Sequence, residues 1–257
     1  MKAPAFDYAQ PKDVAEALQL LSVEGAKAAA GTQSLGPMLN LRVAHPTLLV
    51  DVRGIDELRF VSQNQDSVTM GACVTHAEIE DRRVPDPTRG LMPSVAANIS
   101  YRAVRNRGTI GGSLAHADPA ADWPTALTLL GAVALIAGPR GRRELPVESF
   151  IQGIFTTALD AQELLVAIRI PKRSPRARYG YWKFCRKAGE FAQAIGAALH
   201  DPERNETRAV IGAIDGPPHL MKPLQITDEA LCMVGDDAYN RQLHAVALKR
   251  AVAQIVQ

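Results

Sequence analysis

The first periodic signal lies at residues 13–22. Val14, Ala17, Leu18 and Leu21 fall on one face there, with Pro11 before the segment and Gly25 after it. That spacing predicts a helix. The small-residue run 26–30 reads as a short buried strand, and Gly31-Thr32-Gln33-Ser34 as a polar loop. Pro37 is placed to open a short helix through Leu41, and 47–52 (TLLVDV) is a second strand. The chain thus opens as β-α-β, or as α-β-α-β. Residues 67–74 alternate weakly, as a strand does, and Thr75-His76-Ala77-Glu78 has capping-box spacing that starts a helix. A helix is predicted at 93–100. Residues 105–121 form a long stretch of glycine and small polar residues with the composition of a functional loop. A helix at 124–130, a strand at 133–137, a turn at 138–141 and a strand at 164–170 closed by Pro171 follow. The basic run KRSPRAR at 172–178 reads as a linker and a domain boundary. Beyond it come strand-like runs at 179–184, 191–200 and 207–214, then a break at Gly216-Pro217-Pro218. A last helix, 239–256, carries Leu243, Val246, Ala247 and Val252. There is no internal repeat.

Composition narrows the class. In 257 residues, 47% are hydrophobic and 22% charged, which excludes a disordered chain, a collagen and a disulfide-stapled miniprotein. Lys plus Arg (29) against Asp plus Glu (27) leaves +2, which offers no electrostatic case for nucleic acid. Cys73, Cys185 and Cys232 lie far apart. That spacing argues against zinc, a disulfide framework, or an iron–sulfur cluster held by this chain alone. They are expected to be buried free thiols in a cytoplasmic protein. The N-terminal residues show no apolar signal core, and the longest uncharged stretch, 123–138, falls short of the ~20 apolar residues of a spanning helix.

Four segments could carry chemistry. In Ala30-Gly31-Thr32-Gln33-Ser34-Leu35, backbone N–H groups and two hydroxyls could hold phosphate oxygens, though any tight turn favours the same residues. Arg105-Asn106-Arg107-Gly108-Thr109-Ile110-Gly111-Gly112-Ser113, with Arg102 nearby, suits an anionic ligand or is a mobile surface loop. Neither segment is a Rossmann fingerprint or a P-loop. In His116-Ala117-Asp118-Pro119-Ala120-Ala121-Asp122, an aspartate could bind a ribose-type hydroxyl or cap the next helix. A metal shell lacks further ligands. In 183–191, basic residues beside aromatics could face an electron-rich ring, or form a solvated strand edge. Glu144, Glu148 and Glu163 read as surface residues, and no Ser/His/Asp or Cys/His arrangement can be argued.

Taken in order, these segments resemble one family. Phe6-Asp7-Tyr8 with Pro11, AAAGTQSLGPMLNLR at 28–42, RNRGTIGGSLAHADPAADWP at 105–124, ELLVAIRIP at 163–171 and FCRKAGEFA at 184–192 are similar to the FAD-binding medium subunit of molybdenum hydroxylases. That group includes carbon monoxide dehydrogenase and the flavin domain of xanthine dehydrogenase. The resemblance implies an α+β fold. A two-lobed FAD-binding unit of the vanillyl-alcohol-oxidase (PCMH) type occupies 1–55 and 56–172, and a shortened C-terminal domain at 173–257 has an antiparallel sheet with helices. The implied FAD-binding residues are Ala28, Ala29, Ala30, Gly31, Thr32, Gln33, Ser34 and Leu35, then Thr109, Gly111, Gly112 and Ser113. Asp118 and Asp122, the backbone of Leu165, Lys183 near the flavin and Phe191 over its ring complete the set. Ala30 stands where the family often has glycine, and Phe191 where some members have tyrosine. No catalytic residue and no metal ligand is implied.

The implied role is an oxidoreductase subunit active within a complex. Electrons would pass from [2Fe–2S] clusters on a small subunit through FAD to an external acceptor. The molybdenum cofactor would sit on a large subunit, in an (αβγ)2 heterotrimeric assembly. Lys183, Arg186 and Lys187 are candidates for tuning the flavin. The other readings are a stand-alone FAD oxidoreductase of the same superfamily and a flavin-free scaffold module.

Overall fold

Asp13 accepts a hydrogen bond from the Glu16 amide at 2.8 Å and so starts the first helix one residue later than the apolar period alone suggests. A computed structural model of the chain describes residues 2–221, 234–235 and 237–256. Cys232 and most of the stretch between 222 and 236 lie outside the described residues. The N-terminal part runs β1 (Asp7–Ala9), α1 (Val14–Leu21), β2 (Ala26–Ala29), α2 (Leu35–Asn40) and β3 (Leu48–Asp51). The strands form a parallel sheet in the order β1-β3-β2, with the two helices as crossovers. Val14, Ala17 and Leu21 of α1 pack with Val50, Ile55 and Leu58.

The middle part runs α3 (Asp56–Arg59), β4 (Val61–Gln63), β5 (Ser67–Gly71), α4 (His76–Glu80), α5 (Leu91–Ala97), α6 (Arg102–Arg105), α7 (Ile110–His116) and α8 (Asp122–Leu130). It continues with β6 (Val133–Gly138), β7 (Gly141–Pro146), α9 (Val147–Phe150), β8 (Ile151–Gly153), β9 (Thr156–Thr157) and β10 (Leu164–Pro171). An antiparallel sheet is ordered β4-β5-β10-β6-β7. The predicted capping box is present, with Thr75 and Glu78 bonded reciprocally. The predicted turn at 138–141 joins a hairpin whose second strand, GRRELP, has no apolar alternation because it lies exposed at the sheet edge. Every residue of α8 is buried.

The last part holds β11 (Arg178–Phe184), β12 (Ala194–Asp201), β13 (Glu206–Gly212), β14 (His219–Met221) and α10 (Ala238–Val256). Its four strands form an antiparallel sheet in sequence order. One face packs on α8: Ala197, Leu199 and Val210 share a core with Trp123, Leu127 and Leu130. The other face takes α10, whose buried stripe is His244, Ala247, Leu248, Ala251 and Ile255; Leu243, Val246 and Val252 are only half-buried. The strand expected to begin at 191 begins at 194 and leaves Phe191 exposed. The basic run at 172–178 is not a free linker. Arg173 donates to the Leu130 carbonyl and pairs with Glu206, and Ser174 bonds Asp201. Glu163 is not a surface residue either: its side chain is 6% exposed and holds Arg143. Among the described residues, no helix is long and apolar enough to cross a membrane.

The helix lies close on the sheet because two strand positions lack a side chain. A Cβ on Gly180 would fall 2.7 Å from the Ala251 carbonyl carbon, and one on Gly196 would press the Ala247–Leu248 peptide. Gly180→Ala is therefore expected to cost about 2 kcal/mol by forcing α10 off the sheet, and urea denaturation measures it.

Candidate functional site

The stretch 105–121, read as a loop, contains the helix α7. Thr109 caps it by accepting from the Gly112 amide at 3.0 Å, and Ala117 ends it in the left-handed conformation. Glycine at 111 and 112 masked the helix in the sequence, and packing restores it. The Gly111 amide donates to the Ala72 carbonyl at 3.0 Å, and a Cβ there would lie 2.6 Å from the Ala72 Cα. The preceding residues are bonded alongside. The His76 amide donates to the Gly108 carbonyl and the Ile110 amide to the Val74 carbonyl, both at 2.9 Å.

The loop after β2 meets this segment. A Cβ on Gly31 would fall 2.8 Å from the Gly108 Cα and collide with the Arg107 carbonyl. Ala30 sits in ordinary contact range of Gly112, and its methyl packs against the N-terminal core, so alanine fits there. Gly31 and Gly111 therefore have bare α-carbons for the sake of protein contacts. Gln33 and Ser34 lead into α2 and Leu35 opens it, so no helical carbonyl reaches their amides. Thr32, a β-branched residue, is held at φ 56°. Such a conformation costs on the order of 1–3 kcal/mol and persists where the surroundings enforce it. Leu165 lies in β10 directly behind this meeting point; its neighbour Val166 accepts from the Ala72 amide at 2.8 Å.

A second cluster stands at the far end of α7, about 10 Å away at 1.5 Å rise over its seven residues. Asp122 and Asp118 do not cap α8, whose N-cap is Ala121 with no side-chain bond. Asp118 closes a turn by accepting from the Ala120 amide at 2.9 Å. Asp122 is buried and takes the Lys183 ammonium at 2.8 Å and the Tyr181 hydroxyl at 2.9 Å. Burial pushes its carboxyl above the usual range, with Lys183 and Tyr181 pulling against that. Lys183 also reaches the Asn98 carbonyl at 3.3 Å. Phe191 is 63% exposed beside this cluster, since the Ala192 amide donates to the Ala120 carbonyl. Tyr181 carried no sequence signal, because its partner is 59 positions away.

The arginines read as anion ligands are mostly committed elsewhere. Arg102 pairs with Glu80 and Asp81, and Arg105 with Glu80. Arg107 has no ion-pair partner among the described residues. Another missed group is His76, buried beneath Gly108, whose Nδ1 accepts from Trp123 Nε1 at 3.1 Å. Burial, reinforced by Arg105, lowers its pKa from 6.5 to about 4. No group of three or more His, Cys, Asp or Glu side chains among the described residues could hold a metal ion.

A family model described as the FAD binding domain in molybdopterin dehydrogenase matches residues 4–173. The chain belongs to the FAD-binding medium subunits of molybdenum hydroxylases. It is an oxidoreductase subunit of PCMH-type fold with FAD as cofactor. Caffeine dehydrogenase subunit beta from Pseudomonas is 34% identical over 239 residues, spanning 92% of this chain and 75% of that protein. The carbon monoxide dehydrogenase medium chain of Hydrogenophaga pseudoflava is 37% identical over 196 residues, 76% of this chain and 68% of that one. Among solved structures, the H. pseudoflava carbon monoxide dehydrogenase lacking the Mo-pyranopterin moiety aligns with TM-score 0.90 and 30% identity, over 100% of this chain and 99% of that one.

Two measurements test the buried groups of this medium subunit. Below pH 6.5 the unfolded chain protonates His76 while the folded protein does not until about pH 4. Stability is thus full above pH 6.5 and falls by about 3 kcal/mol as pH drops across that window. His76→Gln keeps an acceptor for Trp123 and should flatten this part of the profile in urea titrations. Lys183→Met leaves Asp122 buried without its cation and should cost about 3–5 kcal/mol. Adding Asp122→Asn should recover most of the loss in the same assay.

Proposed function

We propose that this chain carries FAD as the electron-transfer subunit of a heteromeric molybdenum hydroxylase. In this reading it takes electrons from [2Fe–2S] clusters on a small partner and delivers them to an external acceptor. A large partner holds the molybdenum cofactor, and the whole is an (αβγ)2 assembly in the cytoplasm. The observation that carries the reading is the pairing of two clusters across α7. A backbone cradle lies at its N-terminal end and a buried Asp–Lys–Tyr network at its C-terminal end.

The residues fit an extended dinucleotide. Residues 28–35 would line the pyrophosphate and offer it the amides of Gln33, Ser34 and Leu35, as helix starts and nests hold anions. Thr109 and Ser113 would add hydroxyls, and Gly111 and Gly112, whose amides bond Ala72 and Thr109, would border it. Leu165 would bind through its backbone. Asp118 and Asp122 would take hydroxyls of the ribityl or adenosine side. Lys183, fixed by Asp122, would hold positive charge near the ring, and exposed Phe191 would cover it. Arg186 and Lys187 are exposed on the same loop and would add to the positive field. Bound FAD supplies a centre that takes electrons singly and passes them on in pairs. The lobes of this reading are 1–55, 56–172 and a shortened 173–257; the three large sheets, each built within one of those ranges, support them.

Native co-purification with a visible spectrum tests the proposal. The expected result is a yellow heterotrimer with extractable FAD, molybdenum and iron. A yellow monomer that turns over substrate alone, or a colourless protein, would overturn it.

A further inference from the structure

A cavity of about 380 Å³ opens at the carboxyl ends of β1 and β3. Crevices outside the carboxyl ends of parallel strands are where α/β sheets bind ligands, and this volume is within the usual range for a small-molecule site. Thr109 is its one lining residue among those assigned to FAD above; neither 28–35 nor Gly111 to Ser113 borders it. The close contact of Gly31 with Arg107 and Gly108 adjoins its wall. We propose that this cavity is a separate binding site for a phosphoryl-bearing ligand of up to mononucleotide size.

The hydrogen-bonding capacity left in the walls decides the ligand class. Asp51 is the only carboxylate in the lining. It is fully committed: it accepts from Arg53 Nε at 2.9 Å and Nη2 at 2.6 Å, from the Arg53 amide at 3.1 Å, and from the Tyr8 hydroxyl and Gln10. Thr75 is held in its capping box, and Thr109 accepts from Gly112. Asn106 accepts from Arg102 through Oδ1, which leaves its amide donors. Arg59 has one long contact, 3.6 Å to Glu78, and Glu78 is itself pinned by Thr75. Arg107 has no ion-pair partner among the described residues. The floor includes Cys73, whose thiol burial raises to about 12, so no thiolate competes. The charged groups that remain are cations around an open space, beside the Asn106 amide donors and the Gln10 Oε1 acceptor. Two guanidinium forks suit a phosphoryl group, which they grip with paired bonds.

Calorimetry on the natively purified protein tests this with 5′-AMP and inorganic phosphate as probes. Both are expected to bind, and Arg107→Ala and Arg59→Ala are each expected to weaken AMP by about tenfold or more. FAD content should be unchanged in both variants, and the exposed Arg140→Ala should leave AMP binding as it was. Arg107 and Arg59 are exposed, so truncating either leaves the core intact and loss of fold does not confound the result. Binding of phosphate without AMP would overturn the mononucleotide size. Absence of binding, or equal binding in all variants, would overturn the site. Loss of FAD from Arg107→Ala would make the cavity part of the flavin cradle and overturn its separateness. A protein lacking FAD altogether would sink the flavin proposal while the AMP titration still tests this one.

Discussion

How closely the segment 107–113 can approach the elements around it sets the geometry of everything nearby. On one side the Gly31 α-carbon lies against the Arg107 carbonyl and Gly108; on the other, Gly111 lies against Ala72; and the His76 ring packs on Gly108. Paired amides lock the arrangement, from His76 to Gly108, from Ile110 to Val74 and from Gly111 to Ala72. Interiors packed at crystal density do not absorb an added methyl without displacement. A side chain at 31 or 111 would therefore shift the N-terminal loop and α7 relative to each other. The position of the loop's amides and the register of both ends of α7 follow from that contact.

Electrostatics is layered onto this frame. A net charge of +2 conceals local neutralisation: Arg102, Arg105, Arg143, Arg169 and Arg173 all face carboxylates. Most of these pairs are exposed or half-exposed and contribute little each, about 0–1 kcal/mol. Asp122 with Lys183 differs because both are nearly buried, with side chains 4% and 9% exposed. A buried pair is a poor source of stability but fixes where its members stand. The ammonium is held by Asp122 of α8 and by the Asn98 carbonyl just after α5, while Tyr181 of β11 steadies the Asp122 carboxylate from its other oxygen.

The elements legible in the sequence were those with a clean period or a cap. These include α1, the strands β2, β3, β6 and β10, the capping box at Thr75, and the strands flanking the basic run. Each signal was local. What stayed hidden depends on contacts distant in sequence. The helix α7 is glycine-rich and looks like a loop until Ala72 is seen beneath Gly111. The edge strand β7 is charged on both faces because one face meets no core. Charge counting marked Arg102 and Arg105 as ligands, yet Glu80 and Asp81, over twenty positions earlier, neutralise them. Glycine carried the same ambiguity: in the sequence it reads as room for a ligand, but at 31 and 111 the space is filled by protein.

The third sheet shows how the last part of the chain holds Lys183 in place. Along β11, alternate residues face opposite ways. Gly180 and Trp182 face α10: the Gly180 α-carbon is pressed on Ala251, and the Arg250 guanidinium stands 4.6 Å over the Trp182 ring. Tyr179 and Tyr181 face the core around α8, and Lys183 reaches Asp122. The helix therefore acts as a backing plate that holds β11 flat while the odd-numbered residues bond forward. Its grip depends on the two strand glycines and on a small-residue stripe, Ala247 and Ala251, rather than on large interlocking side chains.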